Sequence, residues 1–312
     1  MSTSRRPRKR YDPSATGKAA LTRIFNTVRD RYIAVSSPPA TLYHYCDEEV
    51  FRKILRSRTL WASDILRMED RREVTYAFSD VISPLVAERE KSRPKYFFGS
   101  VAPEDQIQEI WGRGICTHIA CLSSSDELAS QWKRYAKCEG YAIGFNRDSL
   151  QAWCNACGLA GFGVTLIPMI YDAKLQTMLT REFLEKERLA ERSRCTSLSA
   201  RAALQDEAKK HLAILAMTLK DPQYHREKEW RILVIQRNGG RFTRLTREKT
   251  GEPDVGYFEL PVIGPDLVTE IVLGPLCTKD PAEIRTQLIN AGIGGADIRS
   301  AKCECEKFAG FS

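Results

Sequence analysis

The most informative segment of this 312-residue chain reads Glu227-Lys228-Glu229-Trp230-Arg231-Ile232-Leu233-Val234. Side chains alternate along a strand, so Glu227, Glu229 and Arg231 would share one face, and both faces turn apolar beyond Arg231. The pattern predicts a central strand whose first residues reach the mouth of a cleft. Two carboxylates so close together repel each other and need a reason to coexist. The alternative is a surface ion pair with Arg231 or Lys228.

Patterns typical of strands and helices lie on both sides of this segment. Apolar or alternating runs bounded by turn residues predict strands at 42–45, 59–63, 115–122, 140–145, 164–171, 230–235, 257–262, 269–273 and 296–300. Amphipathic spacing predicts helices from an Asp47 cap to Leu55, over 69–81, through 128–132 and over 282–288. Several strands follow one another without a crossover helix, which favours an α+β fold over a doubly wound parallel one.

The chain divides into a basic N-terminal part and a main domain. Residues 1–13 are basic and have little to bury, which predicts a disordered arm. Residues 14–40 predict a helix capped by Ser14, followed by a Ser-Pro linker. We expect the main domain at 41–305, with a helical insertion at about 173–219, where no Gly or Pro occurs. We expect two helices in the insertion, separated by a break near 195–199.

The net charge of +8 is concentrated at the N-terminus. Residues 1–33 hold nine basic and two acidic residues, so the remainder of the chain is nearly neutral. A basic arm of this kind predicts salt-sensitive recruitment of a polyanion such as a nucleic acid.

Several classes of protein are disfavoured by absent motifs. No apolar run approaches the ~20 residues that span a bilayer, so we expect no membrane partner. The chain has no Gly-x-Gly-x-x-Gly turn, no Gly-Lys-Ser/Thr phosphate loop and no His-Glu-x-x-His. We therefore expect neither a Rossmann site nor a P-loop nor a zinc protease.

The ten cysteines have two interpretations. No secretory segment follows the basic start, so we expect reduced thiols in a cytoplasmic protein. Cys154 and Cys157 form one half-motif and Cys303 and Cys305 another, but a structural zinc needs four ligands. Buried thiols and a zinc site both stay open at this point.

An ordered set of motifs resembles a bacterial family of domains of unknown function in the ADP-ribosyltransferase-like superfamily. The resemblance covers roughly residues 41–302. Its motifs are Tyr43-His44-Tyr45; Leu60-Trp61-Ala62-Ser63 with Glu69-Asp70 and Glu73; Cys121-Leu122-Ser123 with Trp132, Tyr135 and 140–145; Glu227–Arg231; and 269–275. The resemblance implies a split mixed or antiparallel sheet with flanking helices. One departure is Glu69-Asp70-Arg71, where the family turn reads Asn-Asp-Pro.

The resemblance also implies that NAD is a substrate and that particular residues bind it. Glu229 matches the catalytic glutamate, which hydrogen-bonds the ribose 2′-hydroxyl, and Glu227 orients or deprotonates the acceptor. His44 matches the position that binds ribose and the nicotinamide amide, and Ser63 the serine that supports the glutamate. Candidates for stacking on nicotinamide are Tyr76 and then Tyr135.

Each of these roles has a structural alternative. His44 could simply terminate a strand, Ser63 could cap a turn, and Tyr76 could pack in the core. Arg231 is expected to pair with a neighbouring carboxylate rather than to bind a phosphate of NAD.

The leading hypothesis is an NAD-dependent ADP-ribosyltransferase, that is, a glycosyltransferase that modifies a macromolecule. Nucleic acid is favoured over protein as the acceptor, and a small molecule stays open. By analogy of fold, the enzyme would be a toxin or an anti-phage effector, with an antitoxin or regulatory protein as a candidate partner. The alternatives are a non-catalytic nucleic-acid-binding module on the same fold and a zinc-stapled structural protein.

Overall fold

A computed structural model describes residues 38–65, 72–91, 115–158, 163–194, 211–212, 214–237, 245–249 and 252–303. The predicted arm and N-terminal helix lie outside these residues, as do Glu69, Asp70, the helix break near 195–199 and Cys305.

The described residues form ten strands and seven α-helices. The strands are β1 Thr41–Cys46, β2 Leu60–Asp64, β3 Ile115–Ser123, β4 Tyr141–Asn146, β5 Val164–Pro168, β6 Glu229–Arg237, β7 Leu245–Lys249, β8 Glu252–Leu260, β9 Val268–Leu273 and β10 Asp297–Ser300. The helices are α1 Glu48–Ser57, α2 Arg72–Tyr76, α3 Ser83–Lys91, α4 Ala129–Tyr135, α5 Arg147–Gly158, α6 Ala173–Arg194 and α7 Pro281–Asn290. A π-helix, Ala77–Ile82, joins α2 to α3, and a 3₁₀ helix, Pro222–Glu227, precedes β6.

The sheet branches at β3. One edge of β3 pairs with β6 along its whole length, and β6 continues to β5. The other edge pairs with β2 at Ile119 and with β1 at Ser123, so residues 120–122 lie between the two pairings. The β1 branch continues to β4, β9 and β10, and the β2 branch to β8 and β7. The β9–β10 pair is parallel and the other described pairs are antiparallel, so the predicted α+β class with a mixed sheet is confirmed.

Helix α1 shows how local sequence sets an element. The Asp47 side chain accepts a hydrogen bond from the Val50 N–H and caps the helix. Phe51, Ile54 and Leu55 are buried, which stabilises the fold by about 1.5–3 kcal/mol for each side chain. Val50, in the same helix, is 40% exposed.

The structure corrects three predictions of secondary structure. Glu227 is not in the strand: it ends the 3₁₀ helix, Lys228 adopts a left-handed conformation with φ of 48°, and β6 begins at Glu229. Of the helix predicted at 69–81, residues 77–82 are a π-helix. The strand predicted at 164–171 ends at Pro168. Helices α3 and α5 and strand β7 were not predicted.

Two large apolar cores cover opposite faces of the sheet, and a smaller one surrounds Trp132 of α4. Helices α1, α5 and α7 pack on the face that carries Leu122, Trp230 and Ile232. The π-helix, α6 and residues 212–219 pack on the face that carries Ile119 and Leu233. The segment predicted as an insertion at 173–219 therefore supplies much of the second core, and it delivers the chain to the first residues of β6.

Gly140 allows a close approach between two backbone segments. A Cβ atom at Gly140 would lie 2.3 Å from the carbonyl oxygen of Cys46 and 2.9 Å from that of Ala136. The Gly140 carbonyl also accepts a hydrogen bond from the Gly274 N–H. Backbone atoms cannot rotate away as a side chain can, so this site has no room for a methyl group.

We therefore expect Gly140→Ala to lower the free energy of unfolding by about 1–3 kcal/mol, as overpacking does elsewhere. The matched control is Gly264→Ala, because a Cβ atom at Gly264 meets nothing within 4 Å. Urea denaturation of the two variants measures the difference. Equal stability of the two variants would contradict the packing described here.

Candidate functional site

A cavity of about 250 Å³ opens where β1 and β2 meet the same edge of β3. Five of the six predicted site residues line it. They are His44, Ser63, Tyr135, Glu227 and Glu229. They come from β1, β2, α4, the 3₁₀ helix and β6, so the fold gathers residues that are far apart in the sequence.

Tyr76 does not line this cavity. Its hydroxyl donates a hydrogen bond to Gln176 Oε1 at 2.8 Å, and its ring packs in the second core. Tyr76 therefore packs in the core, which is the structural alternative given for it above. Trp61, which the sequence placed only in a strand, lines the cavity and packs against Tyr257 with 4.3 Å between ring centroids.

Two carboxylates and the ammonium of Lys220 line one end of the cavity, and Arg231 contacts one of these carboxylates. Glu229 is 6% exposed and accepts hydrogen bonds from Arg231 Nε at 2.6 Å and Arg231 Nη2 at 3.2 Å. Lys220 is 4% exposed, and its ammonium donates to Glu229 Oε2 and to Glu227 Oε2, both at 2.5 Å. We call these four residues the charge cluster. Arg231 pairs with a carboxylate, as predicted.

Glu229 is ionised in this environment. Burial raises its pKa, but the positive charges of Arg231 and Lys220 and their hydrogen bonds outweigh burial, so the pKa lies well below its ordinary value. A carboxylate has about four lone-pair sites, and Arg231 and Lys220 occupy three of them. One site on Oε1 remains for a ligand hydroxyl.

The turn that carries Glu227 is fixed by its neighbours. Ser123 Oγ donates to the Glu227 carbonyl at 2.9 Å, and the Ser124 N–H donates to the Lys228 carbonyl at 3.0 Å. The Glu229 N–H donates to the Tyr171 hydroxyl at 3.0 Å. The left-handed residue Lys228 therefore joins two anchored segments and brings both carboxylates to Lys220.

His44 faces the cavity as a neutral ring. Its Nδ1 lies 3.0 Å from the Cys121 carbonyl, which can only accept, so Nδ1 carries the proton and Nε2 keeps a lone pair. Burial lowers the pKa of His44, and the Cys121 hydrogen bond opposes this effect only in part. Cys121 lies in the gap between the two strand pairings, so the sheet branch positions the ring.

One wall of the cavity rests on a second polar network. The Tyr43 hydroxyl donates to Glu270 Oε1 at 2.8 Å, and Arg299 bridges Glu270 and Asp126 with contacts of 2.6 Å each. The Tyr45 hydroxyl donates to the Ser125 carbonyl at 2.7 Å. These bonds fix the β3–α4 loop beside the cavity.

Sequence reasoning missed Lys220, Trp61 and Tyr171. Trp61 belongs to a quoted motif, but its side chain was not assigned to the site. Tyr171 was placed in a strand rather than beside Glu229. Lys220 carries only a weak signal: it is a charged residue directly after Leu219, where the predicted helical insertion ends.

The described residues contain no group of three or more His, Cys, Asp or Glu side chains that could hold a metal ion. Cys154 and Cys157 are buried in the first apolar core, where they pack as small hydrophobic side chains. Within the same described part of the chain, no helix is both long and apolar enough to cross a membrane.

Comparison with known families gives one match. The model of a family described as a protein of unknown function, DUF2971, matches residues 131–232, about a third of the chain. This span includes Tyr135 and the whole charge cluster. No curated protein and no solved structure matches the chain. The match supports the predicted likeness to a family of unknown function, whereas the superfamily stays a prediction.

We expect that removing one partner of the buried ion pair in the charge cluster costs much more stability than removing one partner of a surface ion pair. Arg231→Met leaves Glu229 buried without its main partner, so we expect the free energy of unfolding at pH 7 to fall by about 3–5 kcal/mol. Arg181→Met is the matched control because Arg181 is 58% exposed and pairs with Glu88, and we expect it to cost less than about 1 kcal/mol. Urea denaturation measures both, and similar losses would contradict the account.

The sign of the pH dependence follows from the lowered pKa of Glu229. Stability from this group is present above the ordinary glutamate pKa of 4.5 and is lost as the pH falls through the lower folded value. Arg231→Met should therefore show a smaller loss of stability between about pH 6 and pH 3 than the wild-type protein. An equal or larger loss of stability in the variant would show that groups other than Glu229 cause the pH dependence.

Proposed function

We propose that this protein is an NAD-dependent ADP-ribosyltransferase. The observation that carries the proposal is the meeting of Glu229, His44 and Ser63, from three different strands, in one cavity. These are the positions that the resemblance assigns to the catalytic glutamate, the ribose anchor and the supporting serine. Trp61 takes the aromatic role for which Tyr76 was predicted.

The reaction breaks the bond between ribose C1′ and the nicotinamide nitrogen. The bonding electrons leave with nicotinamide, which departs as a neutral molecule, and positive charge develops on the ribose as in glycoside hydrolysis. An ionised Glu229 accepts a hydrogen bond from the 2′-hydroxyl and stabilises that charge. The acceptor then bonds to C1′ and gives its proton to Glu227.

The size of the cavity suits one end of NAD. Pockets for whole drug-sized ligands measure about 300–1,000 Å³, and this cavity is smaller at about 250 Å³. It holds the nicotinamide and its ribose, and the adenosine half extends beyond it. The neutral His44 offers Nε2 as an acceptor for a ribose hydroxyl or for the nicotinamide amide N–H.

Nucleic acid is the acceptor that we favour. The nine basic residues within residues 1–33 would recruit a polyanion electrostatically. The cavity wall itself contains both signs of charge and would not attract a phosphate backbone strongly. A role as a cytoplasmic toxin or anti-phage effector, with an antitoxin or regulatory partner, follows only by analogy of fold.

The charge balance of the cluster also fits a function without catalysis. Two cations neutralise both carboxylates, as they would in a cluster that only stabilises the fold. In that case the protein would be a non-catalytic binding module that uses its basic arm to hold nucleic acid. The two functions differ in whether Glu229 is needed for consumption of NAD.

The test is release of nicotinamide from NAD by the full-length protein, with total cell extract as the source of acceptor and labelled NAD to trace the product. We expect Glu229→Gln to lower kcat by about 10²–10³-fold, as loss of one electrostatic contact to the transition state does. Glu49→Gln is the matched control because Glu49 is a surface residue paired with Lys53. Its turnover should equal that of the wild type.

The label identifies the acceptor. Label that nuclease releases indicates nucleic acid, and label that protease releases indicates protein. Full activity of Glu229→Gln would contradict the assigned role. A wild-type protein that neither consumes NAD nor binds it in calorimetry would favour the binding module.

A further inference from the structure

We propose that Lys220 is a positioning residue that orients both carboxylates of the site. The inference rests on the proposed function for its kinetic part, and on the geometry of the charge cluster for the rest. Lys220 is a buried residue whose side chain is 4% exposed. Its ammonium contacts the carboxylates of Glu227 and Glu229, both at 2.5 Å.

The hydrogen bonds of Lys220 decide which oxygen each carboxylate presents. Lys220 occupies Oε2 of Glu227 and Oε2 of Glu229. The Oε1 atom of Glu227 is left for an acceptor, and one lone pair on Oε1 of Glu229 is left for a ribose hydroxyl. The ammonium of Lys220 therefore orients Glu227 towards the acceptor and Glu229 towards the ribose.

The position of Lys220 is itself braced by a chain of buried hydrogen bonds. Its N–H donates to the Ile170 carbonyl at 3.1 Å, and its carbonyl accepts from Gln176 Nε2 at 2.7 Å. Gln176 Nε2 also donates to the Ile170 carbonyl at 2.6 Å, and Gln176 Oε1 accepts from the Tyr76 hydroxyl at 2.8 Å. Tyr76 thus acts on the site through Gln176 and Lys220, although it lies outside the cavity.

Removal of the ammonium changes the titration of the site in a defined direction. The charged and titratable groups around Lys220 come from the loop after β5, the 3₁₀ helix and β6, and they are Tyr171, Tyr224, Glu227, Glu229 and Arg231. Without Lys220, the two carboxylates of the charge cluster keep one cation, Arg231, which contacts Glu229. One of them then gains a proton more readily, so its pKa rises.

The first experiment measures the two carboxylate pKa values by carbon-13 NMR of glutamate-labelled protein, with Glu227→Gln and Glu229→Gln to assign the signals. We expect Lys220→Met to raise the pKa of one carboxylate by about 1–3 and Lys220→Arg to keep both values near those of the wild type. Unchanged carboxylate pKa values in folded Lys220→Met protein would overturn the proposal.

A second variant covers the case in which Lys220→Met does not fold. Lys220→Met combined with Glu227→Gln removes one positive and one negative charge, so the cluster is neutral again and Glu229 keeps Arg231. We expect this double variant to fold and to show a low pKa for Glu229. A raised pKa for Glu229 in the double variant would also overturn the proposal.

The pH profile of nicotinamide release separates positioning from mere stability. For Lys220→Met, kcat should fall about tenfold for each pH unit below the raised pKa and recover at higher pH, because the acids must be ionised to act. Lys220→Arg should restore the wild-type profile. A uniform loss at every pH would show a structural role only and overturn the kinetic part.

The two proposals fail in different ways. If the wild-type protein releases no nicotinamide, the proposed function fails, but the NMR measurement still decides whether Lys220 holds the two carboxylates. If nicotinamide is released and the carboxylate pKa values do not depend on Lys220, the function stands and the positioning role falls.

Discussion

The ammonium of Lys220, placed between the carboxylates of Glu227 and Glu229, is the contact on which the candidate site depends. A buried carboxylate stays ionised only where positive charge lies beside it, and Glu229 is 6% exposed. Lys220 and Arg231 supply that charge, and the hydrogen bonds of Ser123 and Tyr171 hold the intervening turn in place. Because one lysine contacts both acids, a shift of the chain before the 3₁₀ helix would disturb the two carboxylates together.

The branched sheet explains why the cavity lies where it does. Strands β1 and β2 share one edge of β3 at different heights, and the gap between them exposes the Cys121 carbonyl to His44. Strand β6 pairs with the other edge and starts opposite Ser123, so Glu229 reaches the same end of β3. Strand pairing therefore determines where the cavity lies. The side chains at this end of β3 determine which groups the cavity can bind.

How far the sequence predicts this structure depends on whether the signal is local. The alternation within 230–235 and the Asp47 cap are local patterns, and β6 and α1 follow them closely. The alternation pattern placed Glu227 on the same strand as Glu229, but Lys228 adopts a left-handed conformation that no alternation pattern encodes. Lys220 escaped prediction because its partners lie seven and nine residues away across a 3₁₀ helix. Tyr76 was assigned to the cavity by resemblance, whereas its hydroxyl is bound to Gln176, one hundred residues later.

A crystal structure of the full-length protein with a non-cleavable carbocyclic analogue of NAD tests the central claim most directly. The account predicts that the nicotinamide and the adjoining ring fill the cavity, with the 2′-hydroxyl on Glu229 Oε1 and the Lys220 ammonium still on both carboxylates. An analogue that occupies another part of the protein, or a cavity that stays empty at saturating analogue, would contradict the account.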